Sequence, residues 1–451
     1  MDDKSNRSGG SAIIYPTPYK SHPSLFSFHK NLKMSAYNRV SAIANQLDSD
    51  SGRQTLLAKT PNDVVICAAV RTPIARGKKG GFKDTCPEDL LVAVFNEVVK
   101  RAGVDKSLVE EIAVGNVLPP GGGANVARMA QLAAGFPETA SLMTLNRQCS
   151  SGLTAVNVIA TQIATGQIDI GIGAGVESMT MGFGAGVLPE KMSEQVLKSE
   201  AAANCLIPMG ITSENVAKRY GISRRKQDEF AANSFAKAVA AQKAGKFKDE
   251  IVPVETTIID PKTGEEKTIV VTEDEGIREG VTVESLSKLK PAFTKDGSTH
   301  AGNASQVSDG AAAVLLTRRS VAQKLGLPII GKFGTAQVVG VAPEVMGIGP
   351  AFAIPKVLKK AGLTLNDIDF FEINEAFASQ AIMSIDTLKI PYEKVNPNGG
   401  AIAFGHPLGA TGARQIATGF AEAKRSGKKV FVTSMCIGSG MGMAAVFVNE
   451  Q

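Results

Sequence analysis

The sequence predicts an α/β fold of two duplicated halves. Each half is expected around a central mixed sheet, the two are related by a pseudo-twofold axis, and a loop or cap domain is inserted into the first. From about residue 61 onward, short apolar runs alternate with stretches whose apolar residues recur at helical spacing. The stretch VVKRAGVDKSLVEEIAVGNV at 98–117 returns as VLKKAGLTLNDIDFFEINEA at 357–376, with the same helix, Ala-Gly stop and following strand. The register holds beyond the visible match. Asn116 and Asn374 lie 258 positions apart, Cys149 and His406 lie 257 apart, and QIATG recurs at 162–166 and 415–419. Self-similarity over this length indicates a duplicated α/β unit; solenoid repeats have much shorter periods.

In chain order, residues 1–60 are polar and Ser-rich and read as an N-terminal extension outside the folded core. Val64 to Val70 reads as a buried strand, followed by the Arg71-Thr72-Pro73 turn. A helix is expected from about Pro87 to Ala102, with Leu90, Leu91, Val94 and Val98 as its apolar stripe and Gly103 as its stop. A second strand covers about Ile112 to Val117. Leu142, Met143 and Leu145 read as the end of a buried strand, and Ile168 to Val176 as a central one. The segment from about 180 to 300 has Met and Gly at its start, charged helices at 214–219 and 226–244, and hairpin-like material at 261–267. It reads as the cap, and its charged helices as solvated faces. Asp309 to Leu316 returns to the buried-strand pattern. The expected divisions are 1–60, 61–320 including the cap, and 327–451.

The 451 residues are 43% apolar and 20% charged, an ordinary globular balance with room for two or three domains. The formal charge of +6 is spread along the chain and suits an anionic ligand without implying nucleic acid. Five cysteines without a CxxC pair argue against a disulfide framework and a zinc site, so a reduced intracellular protein without a metal is expected. No apolar run approaches the length of a membrane span.

Four places could carry chemistry. Cys149 stands between an apolar strand and the small polar residues Ser150, Ser151 and Gly152 that open a helix. Unpaired N–H groups and the helix dipole there should favour a thiolate nucleophile. Asn374-Glu375-Ala376-Phe377 ends the repeated strand. His406 lies in the glycine-rich stretch GGAIAFGHPLGATG, and Cys436 ends the last strand before the glycines of SMCIGSGMG. A thiol, an imidazole, an amide and a second thiol suit acyl transfer. Cys67, Cys86 and Cys205 read as inert packing.

The NRQCSSG, NEAF, GHPLGATGAR and CIGSGMG segments, in this order, resemble the thiolase family, from about Pro61 to the C-terminus. NRQCSSGL and NEAFASQA are most similar to members that degrade 3-ketoacyl-CoA in peroxisomes, and Pro208-Met209-Gly210 fits degradative members. The resemblance implies that Cys149 attacks the 3-keto carbon of a 3-ketoacyl-CoA and becomes acylated. It gives His406 the role of base and Cys436 that of protonating the acetyl-CoA enolate. One oxyanion site would combine His406 with a water on Asn374; the other would use the N–H groups of Cys149 and Gly438, where a glycine leaves room for substrate. Ser305, in AGNAS, would lie beside the pantetheine arm, Ala376 and Phe377 would line the channel, and Arg224, Arg225 or Lys226 would meet the CoA phosphates. Coenzyme A is expected as a substrate, with no tightly bound cofactor, and the chain as a homodimer.

Arg39-Val40, five residues, then Gln46-Leu47 looks like a type-2 peroxisomal targeting signal, with an import receptor as the implied partner of residues 39–47 and Met34 as an alternative start. The absence of Asp and Glu from residues 4–47 also suits a mitochondrial matrix presequence. Other readings are an acetoacetyl-CoA thiolase running in the condensing direction, a decarboxylating synthase and a non-catalytic acyl-CoA binder. Asn374 with Cys436 disfavours the synthase, and intact Cys149, His406 and Cys436 disfavour the binder.

Overall fold

The computed structural model describes residues 52–184 and 191–451. The signal-like segment 39–47 and Met34 lie outside the described residues. A helix over residues 52–57 precedes the first strand and packs Leu56 and Leu57 against the core of the second half.

The main strands are β1 (Val64–Arg71), β2 (Glu111–Gly115), β3 (Ser141–Leu145), β4 (Ile170–Ser178), β5 (Ser308–Arg318), β6 (Gly331–Gly340), β7 (Phe370–Ile373), β8 (Val430–Ile437) and β9 (Met441–Asn449). Their spatial order is β3-β2-β4-β5-β1-β6-β9-β8-β7. Read inward from its two edges, the order shows the duplication. β2–β4 and β7–β8 are parallel, β4–β5 and β8–β9 antiparallel, and β5–β1 and β9–β6 antiparallel. The halves join where β1 and β6 share two residue pairs, Val65 with Lys332 and Ile66 with Gly331. β3, expected as buried, is the edge strand. Among the described residues its only sheet neighbour is β2, and its residues stay half-exposed.

Helices fill three layers around the two sheet halves. α1 (Pro87–Ala102) and α2 (Ala124–Ala133) cover the outer face of the first half, and Gly103 ends α1 in the left-handed conformation at φ 65°. α3 (Ser151–Ala164) and α7 (Thr411–Ser426) lie between the halves, where Leu153, Val156 and Ile159 share one core with Ile416, Phe420, Phe431 and Phe447. α5 (Gly349–Ala361) and α6 (Ala378–Leu388) cover the outer face of the second half. The cap contains Met209–Arg219, α4 (Arg224–Lys243) and the hairpin Val254–Ile259/Glu266–Val271. α4 is solvated on one face only. Its other face packs Ala231, Phe235, Ala238 and Ala241 with Ile402 and Phe404, just before His406.

The middle layer is tight because glycines meet backbone. A Cβ at Gly152 would lie 2.6 Å from the Gly409 carbonyl oxygen, one at Gly175 would lie 2.1 Å from the same atom, and one at Gly412 would lie 2.2 Å from the Leu153 nitrogen. Gly152 and Gly409 keep the same spacing as Cys149 and His406, so the duplicated positions touch across the pseudo-axis. This contact brings the starts of α3 and α7 together.

Candidate active site

Cys149 sits on a turn fastened by its neighbours. The Arg147 N–H donates to Ser151 Oγ at 2.8 Å, the Gln148 N–H to Asn146 Oδ1 at 2.8 Å, and Ser151 Oγ to the Gln148 carbonyl at 2.7 Å. Gln148 takes a φ of 49°, a left-handed conformation unfavourable for a residue with a side chain. Ser150 caps α3 positionally, so Cys149 precedes the helix rather than belonging to it.

The expected acidic thiol is not observed. Burial pushes the Cys149 thiol up to about 11, although the N–H groups of Gly438 and of Cys149 itself pull it down; Glu177 adds a further upward push. Helix-end charge is fractional, whereas desolvation acts on the full charge of a thiolate. At rest Cys149 is therefore a thiol.

His406 follows Gly405, whose φ of 108° turns the chain out of the short helix Ala401–Phe404; a Cβ there would lie 2.7 Å from Ser308 Oγ. Its Nδ1 is 2.6 Å from Thr411 Oγ1, and that hydroxyl donates to the Pro407 carbonyl at 2.9 Å. With its proton so engaged, the hydroxyl accepts from Nδ1–H, which leaves Nε2 as the basic nitrogen. Asn374 Nδ2 donates to Nε2 at 3.3 Å. Burial, then the Arg414 cation, lowers His406 to about 3, so the imidazole is neutral across the physiological range.

Asn374 extends β7 and donates its N–H to the Ser434 carbonyl at 2.8 Å, two residues before Cys436. Its Oδ1 is buried without a partner, an acceptor suited to a water. Cys436 is fully buried against Met346 and Ala376, and burial followed by the proximity of Cys149 drives its thiol well above the ordinary range. The structure thus gathers Cys149, Cys436 and Gly438 on one side, and joins His406 to Asn374.

Packing does not demand the glycine at 438. A Cβ there would make ordinary contacts of 3.6 Å with Met209 Sδ and 3.7 Å with Gln148, so the space it faces is left free by the protein. The Ser305 N–H donates to the Ala376 carbonyl at 3.0 Å and Ala304 bridges Phe377, which brings the three expected substrate-lining residues together. Arg224 is committed to Asp228 at 2.8 Å and to the Leu286 and Leu289 carbonyls, Arg225 to Glu229 and Lys226 to Asp386. Cys205, expected as packing, is exposed; Cys67 is buried and Cys86 half-buried.

Two residues went unnoticed in the sequence. Thr411 sets the histidine tautomer, and nothing in TGAR signals that. Glu177 is a fully buried carboxylate at the end of IGIGAGVES, and an acid inside an apolar strand was a readable signal. Among the described residues no cluster of three or more His, Cys, Asp or Glu could hold a metal, and no helix is long and apolar enough to cross a membrane.

Residues 64–320 match the family described as thiolase, N-terminal domain, and residues 327–449 match thiolase, C-terminal domain. The peroxisomal 3-ketoacyl-CoA thiolase of Yarrowia lipolytica is 57% identical over 415 residues, 92% of this chain and all of that protein. The human peroxisomal 3-ketoacyl-CoA thiolase is 58% identical over 85% of this chain and 90% of its own length. The crystal structure of the dimeric peroxisomal thiolase of Saccharomyces cerevisiae superposes with a TM-score of 0.82 at 54% identity, covering 88% of this chain and all of that one. With both halves matched and the strand order β2-β4-β5-β1 repeated as β7-β8-β9-β6, the chain belongs to the thiolase family.

Proposed function

We propose that this thiolase cleaves 3-ketoacyl-CoA with CoA, giving acetyl-CoA and an acyl-CoA shortened by two carbons, as a step of fatty-acid β-oxidation. Relatives of 57% and 58% identity, named as 3-ketoacyl-CoA thiolases, support the substrate class. The observation that carries the mechanism is the hydrogen-bonded chain Asn374–His406–Thr411, which leaves His406 neutral with Nε2 as its basic nitrogen.

In this reading His406 Nε2 takes the Cys149 proton as the sulfur attacks the 3-keto carbon. The thiolate then forms in the step that consumes it, which suits a thiol this reluctant to ionise. The N–H groups of Cys149 and Gly438, which already face the sulfur, hold the tetrahedral oxyanion. Carbon–carbon cleavage leaves Cys149 acylated and an acetyl-CoA enolate. Cys436 gives the enolate its proton at carbon, and His406 with a water on Asn374 Oδ1 holds its oxygen. The proton on His406 then passes to the Cys436 thiolate, which frees Nε2 to take the proton of incoming CoA; as CoA takes the acyl group, His406 returns that proton to the departing Cys149 sulfur. Ser305, Ala376 and Phe377 flank the pantetheine arm. Coenzyme A is a substrate, and no tightly bound cofactor is required.

The relatives' peroxisomal names support the same location, with residues 39–47 read as the segment an import receptor takes. The dimeric yeast structure supports a homodimer.

The test is to incubate the protein with acetoacetyl-CoA and with longer 3-ketoacyl-CoA substrates in the presence of CoA, and to follow the ketothioester absorbance. Consumption is expected, with an acyl adduct on Cys149 seen by mass and absent from Cys149→Ala. No consumption at any chain length would refute the activity, and an adduct persisting in the variant would refute the assigned nucleophile.

A further inference from the structure

Glu177 is a carboxylate buried at the junction of the two halves. It is the penultimate residue of β4, opposite Gly310 of β5. One oxygen accepts the Leu118 N–H at 3.1 Å, from the loop after β2 in the first half. The other accepts the Gly409 N–H at 2.9 Å, from the loop that carries His406 in the second. No Lys or Arg among the described residues forms an ion pair with it. Gly409 is also the glycine wedged against Gly152 and Gly175, and a Cβ on it would lie 2.6 Å from both Asn116 Cα and the Val176 carbonyl oxygen. The residue that fixes the approach of the two halves is thus gripped by one carboxylate.

We propose that Glu177 is a positioning residue for the thiolase reaction: by accepting from Leu118 and Gly409 it rivets the His406 loop to the Cys149 half. Both oxygens face N–H donors, so the ionised form is the one the site can satisfy; a protonated oxygen would point its hydrogen at another hydrogen. Burial pushes the group up to about 7 against the pull of the Leu118, Gly409 and Val117 N–H groups, and Asp309 on the neighbouring strand pushes the same way. Asp309 is itself held by the Thr180 N–H and hydroxyl. Burial raises Asp309 as well, while Cys149 and Cys436 lie well above neutrality and His406 well below. The proposal rests on the thiolase reading for the meaning of kcat, but its second readout does not need turnover.

That readout is amide hydrogen exchange, followed by mass, of the segment that carries Gly409. Glu177→Gln keeps the reach, but its amide nitrogen must face one of the two N–H donors. Glu177→Asp loses a methylene, so from a fixed strand it no longer spans Leu118 and Gly409. Both variants are expected to lower kcat about 10- to 100-fold with KM for CoA little changed, and to quicken exchange around Gly409 while α1 stays protected. A role in packing alone would lower thermal stability and quicken exchange throughout. Unimpaired kcat in both variants, or unchanged exchange around Gly409, would overturn the proposal.

If neither variant folds, the unaltered enzyme decides. Protonation removes an acceptor from one of the two N–H groups, so exchange around Gly409, corrected for its intrinsic pH dependence, should quicken as pH falls below about 7; exchange unchanged from pH 8 to pH 6 would overturn the proposal. An enzyme inactive on every 3-ketoacyl-CoA, but with this exchange behaviour intact, would refute the activity and leave the riveting role standing.

Discussion

At the scale of single residues, the site rests on the protonation states that burial imposes. Cys149 and His406 are both neutral at rest, so proton transfer between them waits for a substrate carbon to accept the sulfur. Thr411 is what aims the histidine. Thr411→Val removes the acceptor for Nδ1–H while keeping the shape, and should lower kcat about 10- to 100-fold through loss of the oriented base. Steady-state kinetics should show KM nearly unchanged; an unchanged kcat would mean that the tautomer is held by other contacts. The position of Cys149 was legible in the sequence, because Ser150, Ser151 and Gly152 mark a helix start after an apolar strand. Its acidity was misjudged because burial depends on what packs over the sulfur, and Gly438 and Glu177 come from distant parts of the chain.

At the scale of elements, α7 clamps β7 through its first turns. Arg414 reaches Glu372 Oε2 at 3.3 Å and Gln415 donates to the Glu372 carbonyl at 2.9 Å, two residues before Asn374. Burial raises Glu372 from 4.5 to about 8, outweighing the pull of Arg414. Between these values the folded chain holds a proton that the unfolded chain has lost. The contribution is therefore fully present below about pH 4.5 and is lost as pH rises through 8. Urea midpoints measured from pH 5 to pH 9 should fall less steeply in Glu372→Gln than in the unaltered protein, and parallel curves would show that Glu372 is ionised throughout. The α1 limits were legible because Pro87, the apolar stripe and Gly103 are local signals. β3 was misread as buried, since a strand's place at a sheet edge depends on its partners, and SLMTL carries no sign of having only β2 beside it. α4 looked solvated because its buried face is built from Ala231, Ala238 and Ala241, whose small side chains barely register as an apolar stripe.

At the scale of the whole molecule, the halves meet through backbone. Gly412→Ala would set a Cβ 2.2 Å from the Leu153 nitrogen, where neither chain can yield without moving a helix. Overpacking of this kind costs about 1–3 kcal/mol or more, so chemical denaturation should show a lowered midpoint and turnover should fall with it. Full activity and stability in that variant would show that the middle layer is looser than its geometry. The duplication was legible from the 98–117 and 357–376 stretches, and with it the equivalence of Cys149 and His406. The glycine contact between the halves was not, because sequence gives the spacing of Gly152 and Gly409 but not which surfaces they present. The repeated strand order has a consequence for substitution. In a pair of identical separate halves one change would alter both equivalent positions, since symmetric partners share one sequence. Here both positions lie in one chain, so the thiol of Cys149 and the imidazole of His406 can be exchanged one at a time.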